Sequence, residues 1–424
     1  MIKAVLTFRE LVALSTQTIR MLVYLSDYQP GATKVYRIQF RRSVQAVVTA
    51  GSVLSYEVIC CSEFNEPVGL DLTYSVVICK QTNGNSVLNI GSGINAEGFK
   101  QVRKPGGITV IKHRAPDEPG FFSVIVAPRD KQDGHILLPV YSDIFRVLNC
   151  DEYSQYIQST TTFVPRLLGC YRAFQCANQT VLIKEEYGST LGSHIYDSSV
   201  VLVRYIESHL LSLFEKTGRE ERSGKRVVLE LGAGCGMVGL YLAALLSSTT
   251  TSSATIDDDN SGSCENFSSK QHMEQSVDVL TVQPESTIII TDRCQQRGLI
   301  EHNISSNAHL NMPATQIQYA DLDWADSSHF EKLQDVLNGS PVDLVVAGDV
   351  FYDRQVAALF FNAVCRLRLH NEQLKVLVAQ KLRLNQDNVA VALISEEEVR
   401  VQCGFVWVEK VHQEADVILW LLRS

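Results

Sequence analysis

Residues 226–240 read R-V-V-L-E-L-G-A-G-C-G-M-V-G-L. An apolar, β-branched run empties into closely spaced glycines, and apolar residues then resume at helical spacing. That order commits the chain to a buried strand, a tight turn and a helix. Glycines let the turn's backbone approach a ligand closely, and the first N–H groups of the helix are free to meet it. The spacing Gly234-x-Gly236-x-x-Gly239 also satisfies a dinucleotide fingerprint, so the turn alone leaves the ligand open. Glu230 narrows it. An acid at the strand's end would repel a diphosphate and favour an ammonium or a sulfonium. A tight turn with no ligand is the competing structural reading.

Strands and helices alternate from this turn to residue 424. The strands are T-I-I-I-T-D, Q-I-Q-Y-A-D, V-D-L-V-V-A-G-D, L-K-V-L-V-A-Q, F-V-W-V-E-K-V and D-V-I-L-W-L-L. Helices are expected through Asn303, near 330–337, over 356–369 and over 389–401. A further helix over 198–214 precedes the glycine turn. Alternation of this kind implies a mostly parallel sheet covered on both faces. The last two strands are joined too closely for a crossover, so one of them should run antiparallel. In open α/β sheets ligands lie beyond the carboxyl ends of the strands. Asp292 ends the second strand, where a carboxylate can take both ribose hydroxyls, or else cap the next helix. Asp323 and Trp324 follow the third strand; an acid beside an aromatic suits an adenine, and a loop tryptophan is the alternative. Asp349 ends the fourth strand with Tyr352 three residues later, facing the same cleft unless Asp349 is a helix cap. Phe351 should point the other way, into the core.

Upstream the pattern differs. Residues 1–30 are apolar at helical spacing and end at Pro30-Gly31. Residues 31–150 are short β-branched or aromatic runs between Gly-, Pro- and Asn-rich turns, which suggests an antiparallel β-sandwich, similar in pattern to the GOLD type. The segment 151–424 is then the second domain. Within it, residues 247–286 are rich in Ser, Thr, Asn and Asp, without periodicity, and read as a disordered insertion. Asp257-x-Asp259-x-Ser261-Gly262 imitates the start of a calcium loop but has Ser268 where the loop requires Glu, so no metal site is expected.

The net charge of −9 argues against non-specific nucleic-acid binding, which needs a basic footprint. The 11 cysteines are odd in number and include no Cys-x-x-Cys, so neither a disulfide framework nor a zinc site is indicated. A reduced, cytoplasmic setting is expected, with the nucleus also open. Arg9 and Glu10 interrupt any signal-peptide core, and no apolar run is long enough to span a membrane.

The ordered set E-L-G-A-G-C-G (230–236), I-T-D (290–292), Asn303 with Asn307, L-D-W (322–324) and D-V-F-Y (349–352) resembles the seven-β-strand, S-adenosylmethionine-dependent methyltransferases. Within them it resembles methyltransferase family 16, protein-lysine methyltransferases acting on non-histone proteins. The resemblance covers about residues 180–424. It implies a Rossmann-like α/β sheet of seven strands, one antiparallel, preceded by the β-rich domain. It implies S-adenosylmethionine bound by Tyr196, Glu230, Gly232, Gly234, Gly236, Asp292, Asp323, Trp324 and Ala347. Asp349 and Tyr352 would be catalytic, and the partner a protein offering a lysine. The family's G-x-x-x-W-D motif appears as Gly192 to Asp197 with Tyr196 in the tryptophan's place. The first 150 residues and the insertion lie outside the family pattern; the β domain could dock a partner protein. Three other readings stand beside this one. The methyl acceptor could be another amine, an arginine or a histidine. A nicotinamide oxidoreductase would use the same glycines, but no Tyr-x-x-x-Lys pair is evident where hydride transfer expects one. A binding protein with a decayed pocket is opposed by the intact glycines, Asp292 and Asp349.

Overall fold

The structure, a computed structural model, describes residues 23–24 and 34–423, apart from 63–66, 69, 71, 82–92, 97–98, 130–134, 160–168, 187–190, 215–224, 252–285, 313, 385–389, 393, 404 and 406. Most of the 1–30 segment, the calcium-like stretch and most of the expected insertion therefore lie outside the described residues.

The N-terminal region is a two-sheet sandwich. One sheet contains β1 (Lys34–Arg42), which pairs in parallel with β2 (His135–Leu138) and antiparallel with Val53–Cys61; Ile108–Arg114 and Lys100–Arg103 complete it. The larger sheet includes Tyr74–Gln81, Gly120–Pro128 and the hairpin of β3 (Gly169–Cys176) and β4 (Gln179–Glu186). Tyr141 pairs with Tyr171, so this sheet continues past residue 150. Ile38, Tyr56, Ile111, Val124 and Phe145 fill the space between the sheets. Side chains alternate across a strand, so β1 has a second face. Val35 on that face, with Ile136 and Leu138 of β2, packs among residues of the following domain, including Leu202 and Leu240. The two domains share one apolar cluster.

After the hairpin come α1 (Asp197–Phe214) and a sheet of seven strands: β5 (Arg226–Leu231), β6 (Ser286–Asp292), β7 (Thr315–Asp321), β8 (Leu344–Gly348), β9 (Lys375–Lys381), β10 (Trp407–Glu414) and β11 (Val417–Arg423). The order is β7-β6-β5-β8-β9-β11-β10, and β11 runs antiparallel to both its neighbours. This is the mostly parallel sheet the alternation implied and the Rossmann-like α/β fold the resemblance implied. Both faces of the central strands are apolar. Val228, Ile288, Ile290 and Val346 meet α1, α2 (Met237–Thr251) and α3 (Arg297–Ser306) on one side. Leu229, Ile289 and Val345 meet α4 (Ser327–Leu337) and α5 (Arg354–Arg368) on the other.

The helix expected over 389–401 is a correction. Ala390–Val391 instead pairs with Arg383–Leu384, and α6 runs over Glu396–Cys403. A capping box sets its start: the Ser395 N–H donates to Glu398 and the Glu398 N–H donates to Ser395 Oγ. Among the described residues, no helix is long and apolar enough to cross a membrane.

Candidate active site

The strand order reverses direction between β5 and β8, and the space beyond their carboxyl ends is a cleft of about 670 Å³. Two glycines shape its floor. Gly232 has φ +65°, and a Cβ there would lie 3.1 Å from Val350 and 3.3 Å from Trp324. Gly234 has φ +61°, and a Cβ there would lie 2.8 Å from the Gly192 carbonyl oxygen. Side chains at either position would intrude on the walls, which is why the turn is spelled with glycine.

Tyr196, Glu230, Gly232, Gly234, Asp292, Asp323, Trp324, Asp349 and Tyr352 all border this one cleft. Two expected contact residues do not. Gly236 sits under the turn at the start of α2, facing Ile290 and Ile300. Ala347 is fully buried in the core beneath the strand end, because the alternation of β8 turns its side chain toward the helix layer. Gly348 borders the cleft in its place.

The acids differ in what holds them. Asp292 accepts the Gly234 N–H and the Arg293 N–H, both at 2.7 Å, so it braces the glycine turn rather than capping a helix. Burial raises its carboxyl above the usual range, against the pull of those two N–H groups. Glu230 accepts the Gly239 N–H at 2.9 Å, and burial pushes its carboxyl up to about 8. Asp323 accepts the Ala325 N–H and shapes the turn that presents Trp324. Asp349 is 6% exposed, has φ +53°, and forms an ion pair with Arg383 at 2.7 Å. It is not a cap: Asp353 caps α5 by accepting from Gln355 and Val356. A non-glycine residue held at positive φ stores backbone strain, a feature that clusters at functional sites.

Tyr352 is 46% exposed at the cleft's rim, and its partial burial raises the phenol. Phe351 points away, as its alternation implied, and packs against Phe360 and Phe361. Tyr196 donates its hydroxyl to the Leu191 carbonyl. Asn303 reaches the back of the glycine turn, donating to the Cys235 carbonyl while accepting from Lys184 of β4. Asn307 bonds both the N–H and the carbonyl of Leu182.

Sequence reasoning missed Arg383. It lies just beyond the end of β9, so the strand-end rule that flagged Asp292 and Asp349 applies to it as well. It also missed His194, which faces the cleft from the segment before α1.

A family model described as lysine methyltransferase matches residues 175–283 and 275–397. Among solved structures, the chain is similar to a T. thermophilus 16S rRNA methyltransferase in complex with AdoMet and guanosine: 12% identity over 77% of this chain and 58% of that one, TM-score 0.36. It is also similar to an O-methyltransferase family protein from Burkholderia thailandensis: 15% identity over 53% and 57%, TM-score 0.30. The chain thus spans under two thirds of either neighbour. S-adenosylmethionine is the family's cofactor, and the residues present fit it. The glycine floor has no side chains to fill it, and Asp292, Trp324 and the buried acid Glu230 border the same space.

Proposed function

The chain belongs to the lysine methyltransferase family, and from that premise we propose that it transfers a methyl group from S-adenosylmethionine to a lysine side chain of a non-histone protein. The observation that carries this reading is the meeting of Asp349 and Tyr352 with the glycine turn in one cleft. When bound, the cofactor supplies a methyl on a sulfonium, which is already electrophilic. The chain's residues then have three tasks.

The first is to hold the cofactor, for which Asp292, Trp324 and Glu230 are placed at the glycine turn. The second is to position an amine. Alignment of two reactants is worth several kcal/mol, ~7–11 in the best intramolecular cases. Asp349 is nearly sealed from solvent and Tyr352 forms part of the rim, so an amine entering the cleft would pass between a buried acid and a phenol. The third is to favour the neutral amine. A lysine has a reference pKa of ~10.4, and removal from water disfavours its ammonium. Asp349 is already paired with Arg383, so it directs the incoming group without being an isolated charge. Its remaining role is to accept a hydrogen bond from the amine, with the Tyr352 hydroxyl as the second polar group at the rim.

The test is labelled-methyl transfer from S-adenosylmethionine into a proteome from cells lacking this protein, read by residue-resolved mass spectrometry. Label on lysine is expected, and it should drop at least about tenfold with Asp349→Ala. Label confined to arginine or histidine would replace lysine as the acceptor. Undiminished transfer by Asp349→Ala would remove that residue from the mechanism.

A further inference from the structure

One wall of the cleft is the segment leading into α1: Leu191, Gly192, His194 and Tyr196 all border it. The Gly192 carbonyl lies against Gly234, so the segment rests directly on the glycine turn. Two carboxylates pin it. Glu185, at the end of β4, accepts the Ile195 N–H at 2.9 Å. Asp197 begins α1 and binds Lys381 at 2.9 Å.

Both carboxylates are buried and need cations. Arg172 of β3 donates to Glu185 at 2.6 Å. Lys381 is divided between Asp197 and Asp416, the latter at 3.5 Å. The remaining cation comes from the sandwich. Arg37, on the face of β1 turned away from the sandwich core, is 0% exposed and lies 3.6 Å from Glu185 and 3.7 Å from Asp197. It is the cation that reaches both carboxylates among the ion pairs of the described residues. Arg37, Arg172 and Lys381 thus face Glu185, Asp197 and Asp416 in a balanced cluster.

We propose that Arg37 of the N-terminal sandwich is a positioning residue for the S-adenosylmethionine site, acting through Glu185 and Asp197 on the segment that carries Tyr196. The proposal rests on the cofactor reading above. The sandwich is then part of the machinery that shapes the cofactor cleft. Without Arg37, two carboxylates share less positive charge in a low-dielectric interior, and the segment they hold loses its single arrangement. Binding must then reorder it, and affinity falls by the fraction of molecules in which it is misplaced. A purely adhesive role predicts something else: lower stability with unchanged affinity in the folded molecules.

The experiment is calorimetric titration of S-adenosylmethionine into the full chain and its Arg37→Met, Arg37→Lys and Val35→Ala variants, with hydrogen exchange of the 191–197 amides. Val35→Ala removes apolar contact from the same strand face without touching charge. Arg37→Met is expected to weaken binding about tenfold or more and to speed exchange at Ile195. Arg37→Lys keeps the positive charge but gathers it on one nitrogen, where Arg37 brings separate nitrogens to 3.6 Å from Glu185 and 3.7 Å from Asp197, and should weaken binding about threefold. Val35→Ala should lower the melting temperature and leave affinity unchanged. Wild-type affinity in a folded Arg37 variant overturns the proposal. If Arg37→Met does not fold, Arg37→Lys decides by the same criterion. Failure of the wild-type chain to bind at all would instead sink the cofactor reading.

Discussion

Glu185 and Glu230 are both sealed from solvent, at 0% and 2% exposure, yet their carboxyls are driven in opposite directions. Burial alone would raise both. At Glu185, where the domains meet, Arg172, Arg37 and the Ile195 N–H overcome burial and hold the carboxyl down to about 2. At Glu230, under the glycine turn, burial dominates, with the Gly239 N–H as partial relief, and the carboxyl rises to about 8. The domain junction carries its cations within the fold. The cleft contains an acid whose charged form is disfavoured until something positive arrives. A finished electrostatic joint and a site built to receive a cation differ in this way.

The largest effect should come from breaking the joint. Glu185→Gln leaves two guanidinium groups buried with one fewer counter-charge, so we expect a loss of ~3–5 kcal/mol in urea denaturation at pH 7. The pH dependence sharpens the comparison. Glu185 has a folded value below its unfolded one, so its stabilisation is complete above about pH 4.5 and is lost as pH falls toward 2. The wild type should therefore lose stability more steeply than Glu185→Gln across that acidic window. Equal slopes would mean that the junction is not held by charge.

Next in size is the cleft's floor. Gly232→Ala places a Cβ at positive φ, 3.1–3.3 Å from Val350 and Trp324. The expected cost is ~1–3 kcal/mol, accompanied by weaker S-adenosylmethionine binding. If the variant binds as wild type does, the close approach at this turn serves packing alone.

These two regions were unequally legible in the sequence. The cleft's outline could be read because the strand ends of a parallel sheet converge: Asp292 ends β6 and Asp349 follows β8, and the same rule applies to Arg383. The junction could not be read. Arg37 looks like one more outward residue on a sandwich strand, and only the tertiary packing of β1 on α1 shows that its outer face is interior. Ala347 and Gly236 were assigned to the cleft by motif membership, whereas alternation along β8 and the onset of α2 turn them away from it. The misplaced helix over 389–401 came from apolar spacing; Ser395 and Glu398 carried the true start as a capping box.

A smaller effect, with the opposite sign, is expected at Glu230. Its folded value lies above the unfolded one, so between about pH 4.5 and 8 the native state binds more protons than the unfolded state. Stability of the cofactor-free protein should fall as pH rises through that window, and Glu230→Gln should flatten the fall. Binding of a cationic ligand beside Glu230 should release a proton at pH 7, seen as a dependence of calorimetric enthalpy on buffer ionisation. No proton release would show that the ligand's charge lies elsewhere in the cleft.

The smallest effect tests where the comparison ends. Asp353 stands four residues after Asp349, but its carboxylate caps α5, accepting from Gln355 at 2.7 Å and Val356 at 3.1 Å. Asp353→Ala should cost ~1 kcal/mol, the usual value of an N-cap, and leave S-adenosylmethionine affinity unchanged. The same substitution at Asp349 should instead lower transfer at least about tenfold while changing stability less than a broken joint would, since Arg383 is 30% exposed and can turn to water. Thermal melts and cofactor titrations on the two variants separate the roles. If Asp353→Ala lowered methyl transfer as far while remaining folded, the acid in the reaction would be the cap itself, and the assignment of chemistry to the positive-φ residue at the strand end would be wrong.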